Sequence, residues 1–326
     1  MMPRMLVAGA CGFLGSHFVD RAVGEGYRIT GIDDLSTGSR ENITHTETRI
    51  RLVEGSITDA DTVLSLHDPK DPFAYVVNFA SPASPVQYRL HPIETLRAGS
   101  LGVDHLASLA SRNRSVLLHT STSEVYGDPL EHPQSESYNG NVDPIGPRSC
   151  YDEAKRFAEA LLVAHERQSG LSVRIARIFN TYGPRMDPND GRVVSTFIRQ
   201  SITGDPLTIH GSGAQTRSFC YVSDMIEGLW RLLHSDVHGP VNLGNPQEVS
   251  IETLAHMILS RFGGSRIEHL LHDQGDPVRR RPDISLARER LGWAPLVDLP
   301  EGIDHTYHWM REYLPVTDTL EEAAFR

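Results

Sequence analysis

The chain has 326 residues, 39% of them hydrophobic, and a formal net charge of -11. That length allows one large or two modest domains with a sizeable core, and the acidic balance argues against nucleic acid, whose phosphates attract basic surfaces. No apolar run approaches the ~18 residues of a membrane span, and Cys11, Cys150 and Cys220 are too widely spaced for a metal set or a disulfide framework. The expectation is a cytoplasmic protein with no metal, membrane or nucleic-acid partner.

Arg4–Ala8 reads as a short buried strand, too brief for a signal peptide, so the chain is taken as complete from this strand. Gly9, Gly12 and Gly15 follow in GxxGxxG spacing, and an amphipathic helix runs from about Phe13 to Gly24. In that order, Gly9 permits a tight turn, Gly12 lets backbone approach a pyrophosphate, and Gly15 allows helix to pack on strand. The helix N-terminus adds free N–H groups and a positive dipole end. The next strand, Arg28–Ile32, ends in Asp33, 18 residues after Gly15. A carboxylate there can bind both adenosine ribose hydroxyls and would repel a 2′-phosphate, which favours NAD over NADP. Arg40 nearby keeps the second possibility open.

Strand-like runs recur at Arg49–Glu54, Tyr75–Phe79, Val116–Thr120 and Val173–Ile178, and helix-like runs at Asp59–Leu66, Ile93–Arg112 and Tyr151–Ser169. The alternation predicts an α/β fold, a doubly wound parallel Rossmann sheet with a smaller, interleaved α/β substrate domain. Ligands of such sheets sit beyond the carboxyl ends of the strands, where Asn78–Ser81, Thr120–Glu124 and Ile178–Asn180 fall. The stretch from Asp128 to Pro147 reads as a long functional loop. Tyr151 and Lys155 stand four apart on one helical face, so a phenol meets an ammonium that favours its ionisation.

Beyond Asn180 arginines recur in loops, at Arg185, Arg192, Arg217 and Arg279-Arg280-Arg281, as either a solvated surface or a phosphate site. Phe219–His234 reads as helix and Val241–Leu243 as strand, returning to the first domain, and Ile251–Phe262 as a further helix. The expected division is 1–182 plus about 219–245 for the dinucleotide domain, and about 183–218 plus 246–314 for the substrate domain. An acidic tail, 315–326, has no assigned role.

Several stretches resemble the extended short-chain dehydrogenase/reductases, and within them the UDP-glucuronate decarboxylase (UDP-xylose synthase) family. They are ASPASPVQY (80–88), STSEVYGDP (121–129), GNVDPIGPRSCYDEAKR (140–156), ARIFNTYGPRMDPNDGRVVSTF (176–197), GSGAQTRSFCYVSD (211–224), GPVNLGNP (239–246) and RRRPDISLARERLGW (279–293). Sugar-nucleotide 4,6-dehydratases carry an Asp-Glu pair after the Thr, whereas Ser123-Glu124 stands here; 4-epimerases usually lack the acid.

The resemblance implies NAD held by Gly9, Gly12, Phe13, Leu14, Gly15, Asp33, Asp34, Ser36, Thr37, Gly38, Ala80, Ser81, Tyr151 and Lys155. Ser56 and Ile57 stand near the adenine where the family usually has an acidic residue followed by Val or Ile. It implies UDP-glucuronate held by Tyr88, Arg97, Asn180, Arg185, Arg192, Val193, Arg217, Tyr221 and Arg280. Arg97 replaces a common Lys. Tyr151 would be the base, with Lys155, Thr122, Glu124 and Arg280 completing the catalytic set. Glu124 could place a water or the sugar, or only pair with an arginine. Arg280 could hold the carboxylate or polarise the C4 oxygen.

The reaction implied is C4 oxidation, loss of CO₂ from the 4-keto sugar and re-reduction by the same NADH. A 4-epimerase, a decarboxylase that releases the 4-keto pentose, and a silent NAD-binding protein are the competing readings. Leu101, Leu106, Leu109, Phe157, Leu161 and Leu162 spread over more than one face of the two long helices. The family's homodimer through a four-helix bundle would cover the outer face, as would a second domain.

Overall fold

A computed structural model describes residues 2–271 and 279–314; the expected tail, 315–326, lies outside the described residues. Seven parallel strands form the central sheet in the order Pro240–Leu243, β6 (Ser172–Ile178), β5 (Val116–Thr122), β4 (Phe73–Asn78), β1 (Arg4–Ala8), β2 (Arg28–Asp33), β3 (Ile50–Glu54). The order reverses at β1, so its carboxyl end opens on the crevice where such sheets bind ligands.

Helices cover both faces. On one, α1 (Phe13–Gly24) and the helix Val222–Leu233 bury Phe18, Val19, Leu229 and Leu232 against Val7, Val77 and Leu118, and Ile284, Ala287 and Trp293 pack into the same layer. On the other lie α2 (Ala60–Leu64), α3 (Pro85–Leu90), α4 (Pro92–Arg97), α5 (Val103–Asn113) and α6 (Ser149–Ser169). There Leu106, Leu109, Ala158 and Leu162 close over Leu6, Val76 and Leu117. Each such fully buried aliphatic side chain contributes about 1.5–3 kcal/mol. A third core joins Phe197, Ile198, Leu254, Ile258, Ile303 and Met310 beyond the strand ends and walls the far side of the crevice.

Three local expectations change. The single helix expected over Ile93–Arg112 is α4, a π-turn at Ala98–Gly102, and α5. The cause is close packing: a Cβ on Gly99 would lie 2.7 Å from Ala154 Cβ, and one on Gly102 2.5 Å from Ile57 Cδ1. The extra residue of the π-turn brings both glycines to their neighbours. Next, the helix expected from Phe219 begins only at Val222, because Cys220–Tyr221 pairs in parallel with Thr181–Tyr182. Finally, Arg217 and Arg280 are not in loops. Thr216–Ser218 lies between Glu248–Ser250 and Arg279–Arg280 in a small sheet that places Arg280 beside Arg217.

Candidate active site

At the carboxyl end of β1, Gly9 takes φ +75°, and a Cβ there would sit 2.7 Å from the Ala80 nitrogen. A Cβ on Gly15 would lie 1.8 Å from the Gly9 carbonyl oxygen, so the turn and α1 interlock only without side chains. Asp33 ends β2 with its carboxylate fixed by backbone: Oδ2 accepts from Cys11 N at 2.8 Å and Oδ1 from Leu35 N at 2.9 Å. Each oxygen keeps a lone pair for a ribose hydroxyl. Arg40 is drawn away to Glu54 at 2.5 Å, so a 2′-phosphate has no partner from it. This glycine cradle, helix N-terminus and buried carboxylate fit a dinucleotide ending in an unphosphorylated ribose.

The cradle opens into one cavity of ≈ 1040 Å³. It is lined by Gly9, Gly12, Phe13, Leu14, Gly15, Asp33, Asp34, Ser36, Thr37, Gly38, Ser56, Ile57, Ala80 and Ser81, expected at the cofactor. It is lined too by Tyr88, Arg97, Thr122, Glu124, Tyr151, Lys155, Asn180, Arg185, Arg192, Val193, Arg217 and Arg280, expected at the substrate or the chemistry. Residues up to 271 positions apart in the chain thus line one cavity.

Tyr221 is the exception. Its ring packs edge-on to Tyr182 at 5.6 Å and over His305 at 5.9 Å, and it does not line the cavity. Its backbone caps the helix Val222–Leu233 from the short strand, which turns the ring under the C-terminal helix Leu299–Tyr313. Arg185 reaches the cavity wall but is committed to Asp20 of α1 at 2.7 Å.

Tyr151 and Lys155 rise from the first turns of α6, both buried. The Tyr151 ring stacks on Tyr88 with centroids 5.1 Å apart and planes 10° from parallel, which fixes its plane. Burial pushes the phenol well above its usual range, against Arg192 and a hydrogen bond with Thr122. The ammonium was expected to lie against the phenol. Instead Lys155 Nζ donates to the Thr120 carbonyl at 2.8 Å and stands 5.7 Å from the Tyr151 ring centroid. A buried ammonium seeks an acceptor first, and the strand carbonyl supplies one. Burial lowers Lys155 to about 8.

Glu124 follows Thr122 in a short 3-10 turn, with Thr122 Oγ1 accepting from its backbone N–H at 3.3 Å. Its carboxylate is clamped between Arg280 and Arg148. Burial resists its ionisation, but the two arginines prevail and hold it at about 2. Arg148 was missed by sequence reasoning; its only signal is its place three residues before Tyr151 in GPRSCY. Arg280 is 3% exposed, donates from Nη2 to the Gly127 carbonyl at 2.8 Å, and leaves Nε buried without a hydrogen-bond partner among the described residues. The loop from Asp128 holds this segment in place, since Gln134 N donates to the Arg281 carbonyl at 2.9 Å. Tyr88 Oη is likewise buried and without a hydrogen-bond partner among the described residues.

Asp152, beside Tyr151 but outside the cavity lining, has a buried Oδ1 with no hydrogen-bond partner among the described residues. Burial, then Glu124, push it up to about 7. Its folded value therefore exceeds its unfolded one, so the stability this confers is full below the ordinary aspartate value and is lost as pH rises through about 7. Asp152→Asn is expected to raise the melting temperature over the parent more at about pH 8 than at about pH 5, by differential scanning calorimetry. Parallel curves across that range would contradict it.

A model of the NAD dependent epimerase/dehydratase family matches residues 5–244. The chain belongs to that family. It is 48% identical over 312 residues to UDP-glucuronic acid decarboxylase 1 of Xenopus tropicalis, covering 95% of this chain and 73% of that one. Among solved structures it is similar to a UDP-glucose 4-epimerase with UDP-glucose from Thermotoga maritima. That match has a TM-score of 0.87 and 27% identity over 95% of this chain and 99% of the other. It is also similar to a dTDP-glucose 4,6-dehydratase with NAD and TYD bound from Streptomyces venezuelae, with a TM-score of 0.85 and 26% identity over 95% of this chain and 97% of the other. The family adds no residue to the site; it fits the cradle, the Tyr151–Lys155 face and the arginine-lined end already in place.

Proposed function

We propose that this enzyme decarboxylates UDP-glucuronate to UDP-xylose and CO₂ with NAD held at the Gly9–Gly15 turn. The observation that carries the reading is the set of arginines in the cavity wall: Arg192, Arg217 and Arg280 line it together with Thr122, Tyr151 and Asn180. Guanidinium groups there are suited to the carboxylate and the diphosphate of a nucleotide-sugar acid. The near-half identity to a UDP-glucuronic acid decarboxylase supports the same substrate.

Held by the Gly9–Gly15 turn and Asp33, NAD would supply a reversible hydride acceptor for sugar C4. The positive charge that bound NAD would supply, with Lys155 one turn along α6, would offset the burial that keeps the phenol protonated; the Tyr151 phenolate would then take the C4 hydroxyl proton and return it when C4 is reduced again, with Thr122 beside it to orient the transfer. Lys155 supplies fixed positive charge one turn along α6. Once C4 is a ketone, the C5 carboxylate lies beta to it, and departure of CO₂ leaves an enolate whose charge rests on oxygen. Arg280 holds the carboxylate before it leaves. A proton then adds at C5, so the overall change is UDP-glucuronate plus H⁺ to UDP-xylose plus CO₂.

Glu124 takes no proton step: pinned by two arginines at about 2, it stays ionised. With Ser123 at the preceding position, no protonated carboxyl serves to expel a hydroxyl as water, which sets this site apart from dehydration. Asn180, Arg192 and Arg217 line the end suited to a diphosphate, with Arg97 and Tyr88 on the near wall. Mass spectrometry of purified protein incubated with UDP-glucuronate tests the reading. UDP-xylose with one CO₂ is expected; a UDP-uronate epimer without CO₂, or a 4-keto pentose with accumulating reduced cofactor, would overturn it.

The enzyme is also proposed to act as a homodimer in the cytoplasm, a reducing compartment that suits its three free cysteines. Leu106, Leu109 and Leu162 are spent on the core, whereas Leu96, Leu101 and Phe157 are 38%, 50% and 51% exposed on neighbouring helices. A second copy laying the same helices across them would form a four-helix bundle. Phe157→Glu is expected to convert the dimer to a monomer by light scattering; an unchanged mass would rule out this face.

A further inference from the structure

One turn beyond Lys155, Glu159 closes back onto the sheet. Its Oε1 accepts from Ser121 Oγ at 2.5 Å and Arg177 Nε at 3.0 Å, and its Oε2 from Arg177 Nη2 at 2.7 Å. Ser121 sits on β5 between Thr120, whose carbonyl receives Lys155, and Thr122, the partner of Tyr151. Arg177 sits on β6 and donates from Nη1 to Tyr126 Oη at 3.0 Å and to the Glu136 carbonyl at 3.1 Å. Tyr126 Oη in turn donates to Asn242 Oδ1 at 2.7 Å on the edge strand. The Glu159 and Arg177 side chains are only 13% and 12% exposed, so the two-pronged pair is shielded from water. Glu159 itself does not line the cavity.

We propose that Glu159 is a positioning residue for the proton-transfer pair, locking α6 to β5 so that Tyr151 meets Thr122 and Lys155 meets the Thr120 carbonyl, with its carboxylate the anion one helical turn from Lys155. The role rests on the reading of Tyr151 and Lys155 as that pair. Ser121 is flanked by the two residues that meet Lys155 and Tyr151, so a shift of this tie moves both contacts at once. Tyr151 and Glu159 face Lys155 from its own helix, and Arg177 stands behind Glu159 from β6. From β5 comes His119, whose Nδ1 accepts from Asn78 Nδ2 at 3.2 Å and which burial keeps neutral. Among these, Glu159 is the anion that opposes the desolvation of Lys155. Loss of that charge makes more of Lys155 neutral at a given pH.

The chain contains two lysines, Lys70 and Lys155. Lys70 is exposed, so ¹³C-lysine NMR of the cofactor-free protein reports the buried amine beside an internal reference. In Glu159→Gln the Lys155 midpoint is expected to fall by about one pH unit with Lys70 unmoved; an unchanged midpoint in a folded variant overturns the electrostatic part. Ser121→Ala keeps the charge and removes the tie to β5. It is expected to lower kcat about tenfold, with KM and the Lys155 midpoint unchanged; wild-type kcat overturns the positioning part. Both NMR readouts remain interpretable if UDP-glucuronate proves not to be the substrate, so failure here is distinct from failure of the proposed reaction.

Discussion

Tyr151→Phe is expected to lower kcat by about 10³-fold or more while leaving the Kd for the UDP-sugar within about threefold. The phenyl ring keeps its stack on Tyr88 and its burial in the wall, so the cavity keeps its shape. What disappears is the oxygen that shares a hydrogen bond with Thr122 and takes the C4 proton. Because that interaction acts in the transition state, kcat and kcat/KM should fall together. Near wild-type turnover by coupled product analysis would remove Tyr151 as the base.

Arg280→Ala is expected to cost about 10²-fold in kcat/KM and roughly 3–5 kcal/mol of stability, since it removes one of the two arginines that clamp Glu124 directly and empties a buried site. The two losses are separable. Arg280→Lys retains charge and should recover most of the melting temperature. It cannot reach both Glu124 and the Gly127 carbonyl while offering a further N–H to the sugar acid, so rate should return far less. Folded Arg280→Ala protein that releases CO₂ at the parent rate would exclude the arginine from the chemistry.

The parts of this enzyme visible in its sequence are those set by local physics. The turn at Gly9–Gly15 is legible because only glycine survives a Cβ contact of 1.8 Å, and that requirement leaves a fixed spacing. The shared face of Tyr151 and Lys155 follows from the helical repeat, although the repeat could not tell that Nζ would choose the Thr120 carbonyl over the phenol. The split of the Ile93–Arg112 helix depended on what Gly99 and Gly102 meet across the layer, which the repeat along one helix does not contain.

Long-range pairing hid more. Arg217 and Arg280 read as loop residues because the strands holding them are three and two residues long and exist only through mutual pairing. The place of Arg148 before Tyr151 gains a meaning only when Glu124, 24 positions earlier, is folded against it. Tyr221 shows the opposite failure: the family motif named the residue, and the local strand-to-helix turn sent its ring elsewhere.

The temporary ketone at C4 is the step on which the whole account stands. UDP-glucuronate deuterated at C4, followed through a single turnover with acid quench, addresses it directly. The account predicts slower CO₂ release than with unlabelled substrate, and deuterium found transiently in the nicotinamide ring. Pentose and CO₂ formed at the unlabelled rate, with no deuterium ever reaching the cofactor, would contradict it.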